Sequence, residues 1–289
     1  MKYNYFKSAN LLVLENNDKR SLYRVYESHN VEPLNWAQNQ KRLEVYPEYN
    51  LVVTDNWIFT LSGEGVLSGI RRDEISFIQM RRRLLIKTVS HDKSGPYIHL
   101  MWWNGRKRGE VAFSKDYVLH NEKHVVCCDG CYGPSGPSWT VYNDIGKKIN
   151  IGEIGDCDVD LVGDFLIMKG IGQHSVYNLK LKKCIKENQQ RIVASPHDNF
   201  VMCCSISEGL QTYYRGHWKK YDARVDDFGL LSEDYGAFYI VKNGKYHLYT
   251  FDGKPFLNAL YPNGSDFVGY NAEDMTCIVV NKGKAYFFI

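Results

Sequence analysis

The sequence predicts an all-β fold: a single-domain β-propeller of seven blades, with eight as the alternative. Three observations carry that expectation. Helical periodicity is almost absent, and apolar runs of four to six residues alternate with Gly, Asn, Asp and Ser, the pattern of strands and turns. A two-armed unit recurs about every 38 residues along the 289-residue chain. Aromatic residues, 21 Tyr and 13 Phe against 8 Pro, recur in the return arm of that unit.

The units follow in order. First arms begin near Leu11, Leu51, Leu84, Val125, Phe165, Phe200, Phe238 and Thr276, at intervals of 40, 33, 41, 40, 35, 38 and 38 residues. Return arms are Leu22–Tyr26, Trp57–Leu61, Tyr97–Trp102, Trp139–Tyr142, Ser175–Leu179, Leu210–Tyr214, Tyr246–Phe251 and Ala285–Ile289. In the clearest unit, Phe238 to Lys254, the arms meet at Asn243-Gly244, a dipeptide suited to positive φ at both centres of a tight hairpin. A hairpin period near 40 residues is the mark of a propeller blade, with room for four short strands. One blade buries only one face, so the units must stack and close on themselves, giving one domain over residues 1–289. Seven blades match the common blade length better, whereas eight phases fit the chain. The apolar end Tyr286-Phe-Phe-Ile289 predicts a terminal strand paired within a sheet.

The segment Asn243-Gly-Lys-Tyr-His-Leu-Tyr-Thr-Phe-Asp-Gly-Lys254 resembles the WG-repeat family, whose units carry an Asn-Gly-Lys turn, an aromatic strand and an Asp-Gly-Lys turn. Lys282-Gly-Lys-Ala-Tyr-Phe-Phe-Ile289 looks like a truncated second copy. Tyr246-His247 and Ala285-Tyr286 stand where the family has Trp-Gly, and units upstream of Tyr221 match only in spacing and aromatic placement. The resemblance implies β-rich repeats and a role in interaction; it transfers no catalytic residue.

Composition excludes several classes. Hydrophobic residues at 44% and charged residues at 24% are those of a globular chain, not a disordered or fibrous one. The longest apolar runs are four or five residues, far short of the roughly 20 a helical membrane span needs. No secretory apolar core is visible, so a cytoplasmic protein without membrane association is expected. Eight cysteines are too few for a disulfide scaffold. They fall mostly in apolar strands, where a thiol acts as a small hydrophobe.

The search for chemistry yields little. His124-Val-Val-Cys-Cys-Asp-Gly-Cys131 holds one CxxC, and a second pair that would complete a tetrahedral zinc site is missing. Asp156, Asp158 and Asp160 alternate as in calcium loops, but Leu161 and Ile167 occupy the positions where Gly and Glu are required. His174, His197 beside Asp198, and His217 lie near no Gly-x-Ser-x-Gly elbow. Gly170-Ile-Gly-Gln-His-Ser175 lacks the third glycine of a dinucleotide fingerprint and precedes no helix. No metal or cofactor is expected.

Net charge is only +3, yet the window 71–108 holds ten basic residues against three acids. Arg71, Arg72, Arg81, Arg83, Arg106, Lys107 and Arg108, with Trp102 and Trp103 at the margin, form the candidate surface for an anionic ligand, nucleic acid or acidic partner. Arg81–Arg83 also fit an outer strand, where charge blocks edge-to-edge aggregation; there Arg81 and Arg83 would share one face. The sequence thus predicts a non-enzymatic interaction module, most plainly for a protein partner, acting through its loop face and this basic surface. The alternative is an enzyme or small-ligand binder whose site lies in the central channel.

Overall fold

The computed structural model describes residues 1–28, 30–68, 75–92, 95–106, 108–114, 118–128, 138–151, 157–221, 224–232, 236–262, 266–271, 276–281 and 284–288; side chains at 90–92, 95–96, 108, 110–111, 232, 245–246 and from 256 onward fall outside that description. The described elements are β-strands and four single-turn 3-10 helices. No helix among the described residues is long and apolar enough to cross a membrane.

Every predicted hairpin is present. The strands Leu11–Asn16, Leu51–Val53, Leu84–Asp92, His124–Cys128, Phe165–Gly170, Phe200–Ser205, Ala237–Lys242 and Thr276–Asn281 each pair antiparallel with the strand that follows. Flanking strands extend these hairpins into seven four-stranded sheets and one of three strands, all meandering in sequence order. The sheets span 2–33, 44–68, 75–114, 118–149, 158–189, 191–220, 227–262 and 266–288, numbered here first to eighth. By contact density the chain divides into two compact units, Met1–Ile149 with the first four sheets and Asn150–Ile289 with the last four.

Within each unit, the packing follows from strand alternation, which sends successive side chains to opposite faces. In the first unit, Val52 joins Leu11, Val13 and Leu22 of the first sheet, while its neighbours Leu51 and Val53 meet Leu84, Ile86 and Trp103 of the third. Leu85 and Trp102 point the other way, onto Val125 and Cys127 of the fourth sheet. The second unit repeats the scheme. Val201 and Cys203 pack on Phe165 and Val176 of the fifth sheet, and Phe200 and Met202 pack on Phe238 and Phe251 of the seventh. Phe200 and Phe251 stack with ring centroids 3.9 Å apart. Fully burying one such ring contributes about 1.5–3 kcal/mol. A strand with a sheet on either side is buried on both faces, as Leu51–Val53 of the second sheet is, and its apolar residues run on without alternating.

The first sheet departs from this rule. Leu11 and Val13 are buried but Leu12 and Leu14 are only half-buried. On the same face as Leu12 and Leu14 stand Tyr5 and Tyr3 across one strand junction and Tyr23 across the other. Tyr3 is 77% exposed. One face of this sheet packs on the second sheet, and the opposite face keeps Tyr3 and Tyr5 exposed beside half-buried Leu12 and Leu14.

The turns explain the glycine pattern. Asn243 and Gly244 have φ of 50° and 68°, the paired positive values of a two-residue hairpin, and Asn17 and Asp18 repeat them at 49° and 59°. Between third and fourth strands a longer turn recurs as Thr60-Leu-Ser-Gly-Glu64, Asn143-Asp-Ile-Gly-Lys147 and Thr250-Phe-Asp-Gly-Lys254. In each the first residue's N–H bonds the fifth residue's carbonyl, and the glycine N–H bonds back to the first carbonyl. The glycines Gly63, Gly146 and Gly253 have φ of 94°, 85° and 76°. Space also demands glycine: a Cβ at Gly63 would lie 2.5 Å from Trp36 Nε1, and one at Gly253 2.8 Å from the Tyr221 hydroxyl. Both neighbours come from the linker behind the preceding sheet, so these turns are sockets as well as reversals.

Candidate interaction surface

The described residues of the basic window, from 75 onward, belong to the third sheet. Trp102 and Trp103 are core. They are 0% and 2% exposed, offer no face to a ligand, and therefore leave the predicted surface. Strand alternation splits the pair: Trp103 enters the interface with the second sheet and donates its indole N–H to the Tyr49 carbonyl at 2.7 Å. Trp102 enters the interface with the fourth sheet, its ring 5.3 Å from that of Tyr142.

Arg81–Arg83 are not on an outer strand. They form the bend between the strands Ile75–Gln79 and Leu84–Asp92. Arg82 grips Asp144 of the fourth sheet with two nitrogens, Nε at 2.6 Å and Nη2. Arg83 donates to the Ile145 carbonyl at 3.1 Å, and the Arg81 backbone N–H to the Glu122 carbonyl at 2.7 Å. Two of the three arginines thus clamp neighbouring sheets together. The Arg82 guanidinium holds the Asp144 carboxyl below the usual carboxylate range.

Arg81 and Arg106 remain as solvent-facing cations of the window. Residues 104–106, which follow the strand ending at Trp103, lie at the same end of the third sheet as the bend 80–83. Arg83 also spans toward the start of the fourth strand, since a Cβ on Gly109 would lie 2.8 Å from its Nη1. The bend and residues 104–106 thus adjoin, with Arg83 committed to the carbonyl of Ile145. Arg71, Arg72 and Lys107 lie outside the described residues, and Arg108 is placed opposite Trp103 by its backbone alone.

The clamp adds two cations that the window did not include. Lys147 and Lys148, exposed at the Asn143–Lys147 turn, come to the same end through the Arg82–Asp144 contact. Four exposed cations, Arg81, Arg106, Lys147 and Lys148, thus share one end of the third and fourth sheets. Glu122 is the exposed acid beside them, while Asp144 is buried and neutralised by Arg82. Nothing local in the sequence links Asp144 to a residue 62 positions earlier.

Other motifs settle into packing. Cys127 and Cys128 are buried thiols, and Ser114 binds the Cys128 backbone on both sides, N–H to Oγ at 3.0 Å and Oγ–H to carbonyl at 2.8 Å. Cys131 lies outside the described residues. No group of three His, Cys, Asp or Glu placed to hold a metal occurs among the described residues. Asp158 and Asp160 flank buried Val159 on one wet face, where Asp160 pairs with Lys169; Asp156 lies outside the description. Gly170 to Ser175 forms a hairpin tip with Ile171 fully exposed.

Comparison with known proteins adds little. No family model and no curated protein matches the chain. Among solved structures, it is similar to one described as the crystal structure of the eukaryotic initiation factor, with a TM-score of 0.39 and 8% identity over 91% of this chain and 88% of that one. It is also similar to the structure of Kluyveromyces lactis Hsv2p, with a TM-score of 0.32 and 9% identity over 96% of each chain. Likenesses this distant carry no inference about function.

Proposed function

We propose that the protein is a non-enzymatic interaction module that docks an acidic polypeptide on the turn cluster of its third and fourth sheets. The observation that carries this reading is the gathering of Arg81, Arg106, Lys147 and Lys148 at one end of those sheets, on turns fixed by the Arg82–Asp144 and Arg83–Ile145 contacts. Pre-ordered turns lose little conformational entropy on binding, and a one-signed surface steers an oppositely charged partner. An acidic polypeptide is favoured over single-stranded nucleic acid because the tryptophans that would stack on bases are buried.

We further propose that the sheets close into one β-propeller. The support is the repeat itself: each hairpin among the described residues carries its own antiparallel sheet, which favours eight blades over seven. WG-like units in the seventh and eighth sheets fit that arrangement.

The docking reading is tested by titrating a labelled glutamate-rich peptide, and separately single-stranded RNA, into wild type and an Arg81→Glu/Lys147→Glu variant at low and physiological salt. The peptide should bind wild type, weaken with salt because these charges are exposed, and lose binding in the variant. RNA binding that disappears in the variant while the peptide never binds would overturn the choice of partner. Equal behaviour of both proteins toward both probes would overturn the surface itself.

A further inference from the structure

A separate feature of the first unit points to a small-ligand site. A groove of about 430 Å³ lies between the first and second sheets, within the roughly 300–1,000 Å³ usual for ligand pockets. Its floor is apolar, formed by buried Val13, Leu43 and Val45. Its polar groups stand in a row across three paired strands: Lys2 opposite Glu15, and Glu15 opposite Arg20. One carboxylate therefore sits between two cations.

The hydrogen-bond ledger of that row leaves donors unused. Arg20 Nε donates to Glu15 Oε2 at 3.0 Å, and neither terminal guanidinium nitrogen of Arg20 has a partner among the described residues. Lys2 and Asn4 are likewise unpaired there. The other acid of the lining, Glu44, is already occupied: Arg42 donates to its carboxylate from Nε at 3.2 Å and Nη2 at 3.1 Å, and the Tyr46 hydroxyl at 2.8 Å. Arg42 and Tyr46 thus take up the Glu44 carboxylate, with Arg20 adding to the positive field on it, while the terminal nitrogens of Arg20 and the Lys2 ammonium keep unused donors above the apolar floor.

We propose that this groove binds a small organic anion, a carboxylate carried on a compact apolar body. The carboxylate accepts hydrogen bonds from the terminal nitrogens of Arg20 and from Lys2, and the body rests on Val13, Leu43 and Val45. A guanidinium fork matches the two oxygens of a carboxylate, and such charge-assisted bonds are stronger than neutral ones. A neutral isostere leaves the cations without an anion and binds less well.

The test is calorimetric titration with phenylacetate and its neutral counterpart phenylacetamide. Wild type should bind phenylacetate saturably, about ten- to a hundredfold tighter than the amide. Arg20→Gln should erase that preference while leaving amide binding and thermal midpoint unchanged. Glu15→Gln should tighten phenylacetate binding, because it releases Arg20 from its internal partner, and an unfolded variant cannot mimic that gain. Absence of saturable phenylacetate binding, equal affinity for acid and amide, or an Arg20→Gln variant that keeps the preference would overturn the proposal. Arg81→Glu/Lys147→Glu should bind phenylacetate as wild type does, which separates failure here from failure of the docking surface.

Discussion

Arg82 and Asp144 show how much one side-chain pair decides. Asp144 is 6% exposed at its side chain and Arg82 is 58% exposed, so the buried acceptor depends on a partner that reaches it from solvent. Arg82→Ala strands that carboxylate and should lower the midpoint of urea unfolding. The pH dependence follows from the lowered Asp144 pKa. A carboxyl whose folded pKa lies below its unfolded value of about 3.9 contributes stability above that value and loses it as pH falls through the folded one. Wild type should therefore lose stability more steeply below about pH 4 than Asp144→Asn; identical slopes would refute the linkage. Residues 82 and 144 are distant in sequence, so the pair was not legible there, and Arg81–Arg83 read as three surface charges. Trp102-Trp103 read as a binding platform for a related reason. Strand alternation was available to split the pair, but only the sheets on either side reveal that both faces are covered.

At the scale of the element, the hairpins were legible because their signals are local: an apolar run, a turn residue with positive φ, an aromatic return. The flanking strands were less legible, some being only two or three residues long, as Val31–Pro33 and Lys148–Ile149 are. The turn glycines sit between these cases, since the sequence marks them while the socket that surrounds them is tertiary. Gly105 and Gly63 separate the two demands. Both have positive φ, 86° and 94°, but a Cβ at Gly105 meets nothing within 4 Å, whereas at Gly63 it collides with Trp36. Gly105→Ala should cost about 1 kcal/mol of backbone strain, and Gly63→Ala clearly more, because the Trp36 ring must move. Comparing both variants by thermal unfolding checks this ordering, and equal losses would show that Trp36 yields freely. Central strands buried on both faces, such as Phe200–Ser205, should also retain amide protons far longer than Lys2–Phe6, whose first four residues are exposed.

For the whole molecule, the question is whether two compact units act as one ring. Both docking surface and ligand groove lie in the first unit, and a closed ring would hold their turns in place from both sides. The tryptophans provide a reporter: Trp36, Trp57, Trp102, Trp103 and Trp139 lie in Met1–Ile149, and Trp218 alone lies beyond it. Tryptophan fluorescence thus follows the first unit, while far-ultraviolet circular dichroism follows the strands of both. Closure couples the units into one cooperative transition. Guanidinium unfolding monitored by the two signals on one sample tests this most directly. A closed propeller predicts coincident curves with one midpoint and one slope, whereas a fluorescence transition separated from the dichroism transition would contradict closure.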